Sequence, residues 1–171
     1  MKQQGVTLIQ LLLALALLGL LTQLGIPAYN NMSAGLQRQA VANDLAQALR
    51  SARSEALVRN RTVRLEALES DWSKGWRMLL DEHDGTELLL ERRGNGRTVI
   101  VGNQSVARQV RFSGLGVAVL DSGGFQAGTL FVCQRPEALS QYQVVLSRSG
   151  RVSLRDDLIK HPLCAAAGSG Q

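Results

Sequence analysis

The sequence predicts an α+β protein: a long N-terminal helix, apolar first and amphipathic second, packed on a small antiparallel β head. Three observations carry that expectation. No charged residue lies between Gly5 and Gln37, whereas from Arg38 onward charges recur every few residues. Apolar residues then recur at three- and four-residue steps as far as Asn60, the period of a helix with one buried face. After Asn60 the period drops to two, in short runs separated by glycine-rich gaps, which is the pattern of half-buried strands. The chain divides accordingly into a polar leader at 1–5, an apolar helical half at 6–28, an amphipathic helical half at 29–60 and a β-rich head at 61–171.

The apolar stretch from Val6 to Ile26 is about twenty residues, long enough as a helix to span a hydrocarbon core. Lys2 precedes it and belongs on the cytoplasmic side by the positive-inside rule. The run is too long for a cleaved signal peptide, and no small-x-small site ends it. Gly5 instead closes a short polar leader in front of the apolar run. Pro27, two residues after Gly25, predicts a local kink or unwinding. Beyond it Val41, Leu45, Ala48, Leu49, Ala52, Ala56 and Leu57 form one face. Arg38, Asp44, Gln47, Arg50, Arg53, Ser54 and Arg61 occupy the other positions. The expectation is one helix from Val6 to Asn60, whose second half is stable only under a covering sheet.

In the head, Val63, Leu65 and Ala67 alternate with Arg64 and Glu66, a half-buried strand. Trp76–Leu80 is the next, and His83-Asp84-Gly85 is a turn signal leading to a hairpin partner at Glu87–Arg92. Further strands are expected at Thr98–Val101, Val110–Phe112, Val117–Leu120, Thr129–Val132, Gln143–Leu146 and Arg151–Leu154. So many short strands favour two small antiparallel sheets over a parallel sheet with crossover helices. The small, polar tail from Ala165 to Gln171 is expected to be disordered unless a cross-link holds it.

The formal charge of +5 is unevenly spread. Residues 38–91 hold eight Lys/Arg against ten Asp/Glu, whereas residues 92–171 hold ten against four. Arginine dominates, sixteen against three lysines. That is either an ordinary solvated surface or a basic face for an acidic partner, phosphate-rich polymers included. The cysteines Cys133 and Cys164 sit late in the head. In a membrane-targeted chain they predict a disulfide, with a pair of free buried thiols as the alternative. Closing a loop of that size is worth on the order of 3–4 kcal/mol.

Three stretches carry a resemblance. Gly5-Val6-Thr7-Leu8-Ile9 resembles the prepilin processing site, a glycine followed by FTLIE. NDLAQALRSARSEALVRN, Asn43 to Asn60, and WSKGWRMLLDEHD, Trp72 to Asp84, are similar to the helix end and the W-x-x-G-W strand of the GspH/FimT family. The chain thus resembles the type IV pilin superfamily, and within it the minor pilins and pseudopilins. The resemblance implies a pilin-like fold and a structural subunit for the assembly or tip of a type IV pilus or type II secretion pseudopilus. It implies prepilin peptidase as a partner, cutting between Gly5 and Val6 and methylating Val6, and other pilins as partners through the N-terminal helix. It also implies a bacterial inner-membrane protein with a periplasmic head that later enters a filament. The fifth mature residue is normally glutamate in this superfamily, paired with the N-terminal ammonium of a neighbouring subunit, and here it is Gln10. Either this subunit does without that pairing, as at a filament tip, or glutamine is a tolerated isostere.

The residues suggest no enzyme and no cofactor. His83 and His161 stand alone, no His/Cys/carboxylate spacing suits zinc, and neither a phosphate loop nor a nucleophile elbow is present. Asp81, Glu82, Asp84 and Glu87 surround a turn, but without EF-hand spacing. Some FimT-like minor pilins bind DNA during natural transformation through a C-terminal G-R-x-R motif. Gly150-Arg151-Val152-Ser153-Leu154-Arg155 is similar, with its second arginine two places late. In a strand Arg151 and Arg155 share one face, and with Arg148 they are the candidate DNA contacts. An unrelated single-pass extracytoplasmic binding protein is the third reading.

Overall fold

A computed structural model describes residues 7–82, 85–135 and 137–166, apart from the side chains of Leu24, Gly25, Pro27 and Ala28. The order of elements is α1 (Leu8–Arg59), β1 (Val63–Ala67), β2 (Gly75–Glu82), β3 (Gly85–Arg93), β4 (Val99–Gly102), β5 (Gln109–Phe112), β6 (Gly128–Gln134), β7 (Leu139–Leu146), β8 (Val152–Lys160) and α2 (Pro162–Ala166). The chain forms two compact units, Met1–Gln37 and Arg38–Gln171.

In the first unit α1 is helical throughout its described length. The unwinding expected at Gly25–Pro27 does not occur. A proline deletes one i→i−4 bond, and the turns on either side carry the helix across. The expected start at Val6 lies outside the described residues. Among the described residues no helix is long and apolar enough to cross a membrane.

In the second unit the rest of α1 lies in the core. Leu45 and Leu49, one helical turn apart, are fully buried, as are Ala42, Ala46, Ala52 and Ala56. Burying each leucine contributes on the order of 2–3 kcal/mol, and the alanines let the helix axis approach the strands closely. Two details correct the sequence reading. Ala42 and Ala46 belong to the buried face, and Leu57 is half exposed, lying over Gly116. The helix ends one residue early because Asn60 takes a left-handed conformation (φ 49). Arg61 N then donates to Ala56 O and Asn60 N to Leu57 O, a Schellman closure.

The strands form two four-stranded antiparallel sheets among the described residues, ordered β3-β2-β1-β5 and β4-β6-β7-β8. In the first, Leu80, Val63 and Phe112 stand opposite one another, and so do Met78, Leu65 and Val110. In the second, Gly102, Leu130, Val144 and Leu154 make one cross-strand row. The apolar sides of both sheets and of α1 join in one cluster. Trp72 is buried within it and donates from Nε1 to Val106 O at 3.0 Å. The edge strands β3 and β8 are mostly exposed.

The segment Val117–Leu120, expected as a strand, pairs only through two isolated bridges, Phe112 with Ala118 and Val119 with Phe125. Tight turns at Ser113–Gly116 and Leu120–Gly123 leave it too short to build a ladder. The turn at His83-Asp84 lies outside the described residues. Of the expected tail, Ala165 and Ala166 belong to α2, an element the sequence reading missed, and the rest lies outside the described residues.

Candidate functional site

The processing pair Gly5 and Val6 lies outside the described residues. Immediately after it, Thr7 precedes the helix and Gln10 is its third residue. Gln10 Oε1 accepts from the backbone N–H of Thr7 at 3.1 Å. Thr7-Leu8-Ile9-Gln10 is thus the sequence of a capping box, and the arm reaching back from the third residue is formed. Glutamine serves this role as well as glutamate does, because only an acceptor oxygen is required. The sequence reading assigned Gln10 to assembly and missed this local role, although the T-x-x-Q spacing signals it.

Downstream, Leu8, Ile9, Leu11, Leu12, Leu13, Leu15, Leu17, Leu18, Leu20 and Leu21 are each more than half exposed. They cover every side of the helix, so no polar stripe is available to face water.

The disulfide forms as expected. Cys133 at the end of β6 is bonded to Cys164 in α2, with Cα atoms 5.5 Å apart. It sits in a second apolar cluster with Val99 and Phe131, on the face of the sheet turned away from α1. His161 stacks on Phe131 at 3.8 Å between ring centres, and its Nδ1 accepts from Leu163 N at 3.3 Å. His161 thus stands at the start of α2, where its carbonyl also accepts from Cys164 N. Among the described residues no three His, Cys, Asp or Glu side chains are grouped to hold a metal. Asp81 is engaged instead by Arg64 and Arg111, and Glu87 by Arg59. Asp84 is outside the described residues.

The three candidate DNA contacts are exposed around the β7–β8 turn. Arg148 lies within the turn, where Gly150 N donates to Ser147 O and Arg151 N to Ser147 Oγ. Arg151 precedes β8 and Arg155 lies within it, opposite Gln143. Val152 and Leu154 pack towards the core, so Ser153 and Arg155 face outward, as alternation requires. None of the three arginines makes an ion pair or a side-chain hydrogen bond among the described residues.

The turn also lies against α1. Gly150 has φ +77, and a Cβ there would collide with the Gly116 carbonyl oxygen and come within 3.3 Å of Arg53 Nε. Between the turn and the helix lies an open cleft of about 330 Å³, lined by Arg50, Arg53, Ser54 and Leu57 from α1 and by Gly150, Arg151 and Val152 from the turn and the start of β8. The sequence reading left Arg50 and Arg53 on the solvent face. Their i, i+3 spacing on one helix face was visible, but nothing in the sequence placed the turn opposite them.

Over residues 41–150 the sequence matches the family of the type II transport protein GspH. The chain belongs to the GspH family. It is a structural subunit of the minor pilin and pseudopilin class, with the pilin architecture of a long N-terminal helix on antiparallel sheets. Among solved structures, the type IV minor pilin FimU of Pseudomonas aeruginosa is similar in two crystal forms. Both are 23% identical to this chain with a TM-score of 0.60. The likeness covers 74% of this chain and 98% of FimU in one form, and 75% and 95% in the other. It shows that this GspH-family chain and FimU share a fold. No curated protein is significantly similar in sequence.

Proposed function

We propose that this GspH-family chain is a membrane-anchored filament subunit, cut by prepilin peptidase between Gly5 and Val6 and methylated on Val6. It is held in the bacterial inner membrane by residues 6–28 with its head in the periplasm. From there it enters a type IV pilus or a type II secretion pseudopilus, where its work is assembly or tip presentation rather than catalysis. The observation that carries this reading is the belt of ten leucine and isoleucine side chains between Leu8 and Leu21, more than half exposed on every side of the helix. Such a surface costs about 25 cal/mol for each Å² left in water, so it requires lipid or the helices of neighbouring pilins. Gln10 lies within that belt and would contribute to packing between subunits as a neutral side chain. Mass spectrometry of the mature protein tests the proposal: a chain beginning at methylated Val6 is expected, and an intact Met1–Gly5 on the membrane-bound form refutes it.

A second reading, binding of DNA through Arg148, Arg151 and Arg155, is favoured by the absence of ionic partners for all three among the described residues. Asp156 and Asp157 follow directly in β8 and weaken the local potential. A shift assay at two salt concentrations tests it, and glutamine at all three positions abolishes the binding if the reading holds.

A further inference from the structure

We propose that the outer edge of β3 in one copy of this chain pairs, in parallel, with the outer edge of β8 in a second copy, joining two heads through one continuous sheet. β3 and β8 are end strands of their sheets and nine residues long, whereas the other end strands, β4 and β5, have four. Among the described residues no strand pairs with either outer edge. A long exposed edge is a template for another strand, and charge usually blunts it. Here the charges of one edge complement those of the other. With Leu90 set opposite Leu154, Glu91 meets Arg155, Arg92 meets Asp156 and Arg93 meets Asp157. Opposite charges facing across strands favour pairing, and like charges oppose it.

The second observation is that the two edges fit in backbone phase. Gly94 N donates to Lys74 O at 2.8 Å. Counting back by twos along the antiparallel ladder, Arg92 and Leu90 bond to β2, and Glu91 and Arg93 turn their amides and carbonyls to the outer edge. Ser147 N likewise donates to Arg151 O at 3.0 Å. Ser153 and Arg155 therefore bond to β7, while Leu154 and Asp156 turn theirs outward. A parallel ladder needs this alternation: Glu91 of one copy donates to Leu154 O and accepts from Asp156 N of the next. The faces agree as well. Leu90 and Arg92 stand opposite the buried Met78 and Trp76, and Leu154 and Asp156 opposite the buried Val144 and Tyr142. Core side thus meets core side, and Leu90, 46% exposed in the single chain, gains Leu154 as a neighbour.

Other registers fit worse. Sliding the parallel pair by two residues sets Arg93 on Arg155 or Glu91 on Asp157. Run antiparallel with core side on core side, no register keeps more than one of these opposite pairs. Within the chain Arg93 pairs with Glu91 at 2.9 Å and Arg92 with Asp44, exposed contacts that contribute little and can be shared. Arg155, Asp156 and Asp157 make no ion pair among the described residues. Because two different edges meet, every copy keeps one free edge of each kind, and the contact repeats head to tail instead of closing on itself. The inference shares Arg155 with the DNA-binding reading but rests on neither reading above. A methylated Val6 without this pairing refutes only the edge contact, and pairing in a chain that keeps Met1–Gly5 refutes only the filament subunit.

The test uses the full chain in a non-ionic detergent, with association followed by sedimentation velocity over a range of concentrations. Two charge swaps leave the net charge unchanged. One is Glu91→Arg with Arg93→Glu, which keeps the pair inside β3 in reversed order; the other is Arg155→Glu with Asp157→Arg. Each swap alone is expected to weaken association at least about tenfold, because like charges then face one another. An equimolar mixture of the two swapped chains restores it, a recovery that misfolded chains do not give. A second arm places the contact. Arg92→Lys keeps the charge and supplies an amine, and a carbodiimide joins it to a carboxylate in direct contact. With 14N- and 15N-labelled copies mixed, a mixed-isotope peptide linking residue 92 to Asp156 is expected, beside a single-isotope link to Asp44. Association that neither swap changes belongs to the leucine belts and overturns the proposal. So does a mixture that fails to recover, the absence of the mixed-isotope link, or a mixed-isotope link from Lys160 to Asp156 or Asp157, which marks β8 pairing with β8.

Discussion

Replacing both Cys133 and Cys164 by alanine isolates what the cross-link does. The two residues are 31 apart in sequence, and the chain-entropy relation for a loop of that size gives about 3.5–4 kcal/mol. Alanine keeps both positions apolar and leaves no unpaired thiol, so little packing is lost besides the sulfurs. For a unit of this size the loss corresponds to a fall in Tm of roughly 10–20 °C. The structure also says where the effect is felt first. A helix of five residues has no stability of its own, and α2 is tied down by the bridge, by Leu163 in the same cluster, by the His161–Phe131 stack and by the bond from His161 N to Ala138 O. Hydrogen exchange read by mass spectrometry should therefore show residues 161–166 opening in the double variant while β7 and β8 stay protected. Adding dithiothreitol to the native chain should reproduce both results. A fall in Tm of less than about 3 °C, or α2 amides as protected as in the oxidised chain, would refute the reasoning.

Leu49→Ala leaves a cavity under both sheets and should cost about 3 kcal/mol, read as a lower urea midpoint at unchanged slope. Gly150→Ala, which forces a side chain into φ +77 and onto the Gly116 carbonyl, should cost more than about 2 kcal/mol by the same measurement. Gln10→Ala removes the acceptor for Thr7 N–H and should speed exchange of that amide in micelles by several-fold, at about 0.5–1 kcal/mol of first-turn stability. Gln10→Glu should leave the exchange unchanged. On the surface, the hydrogen bond and charge of Lys74 hold the Glu69 carboxyl below its ordinary range, and Glu69 in turn raises Lys74. A lowered carboxylate contributes stability above its unfolded value and loses it as pH falls through the folded one. Lys74→Met should return the Glu69 titration, followed by NMR, to the ordinary carboxylate range.

Periodicity made the helix and most of the strands legible, because each strand has one face in the core. Val63, Leu65 and Ala67 are buried and alternate cleanly with half-buried neighbours. The reading failed where that condition fails. Val117–Leu120 has apolar residues but lies between two tight turns, so its length rather than its pattern decides. Helix α2 is too short to show a period, and its position depends on a disulfide whose far end is thirty-one residues away. Ala42 and Ala46 lie at the edge of the face that holds Ala48, Ala52 and Ala56, and the closeness of the strands widens that face enough to bury them. The arginine turn was legible as a motif. The cleft beside it was not, because Arg53 and Gly150 meet only through the packing of the turn on α1.

The chemistry at the start of α1 gives the glutamine at position 10 a physical rationale. A carboxylate at the edge of a hydrocarbon layer pays for desolvation unless a cation meets it. A neutral amide there avoids that cost, and in this chain its oxygen already has a donor, the Thr7 N–H. The first turn of a helix in lipid has no water to satisfy its free amides. The Gln10 side chain therefore does locally, for the amide just ahead of the helix, part of what a neighbouring subunit does for a glutamate. On the filament-subunit reading proposed above, anchoring this helix would need no charged partner at position 10, and its insertion into lipid and contact with other pilins would be governed by the leucine belt.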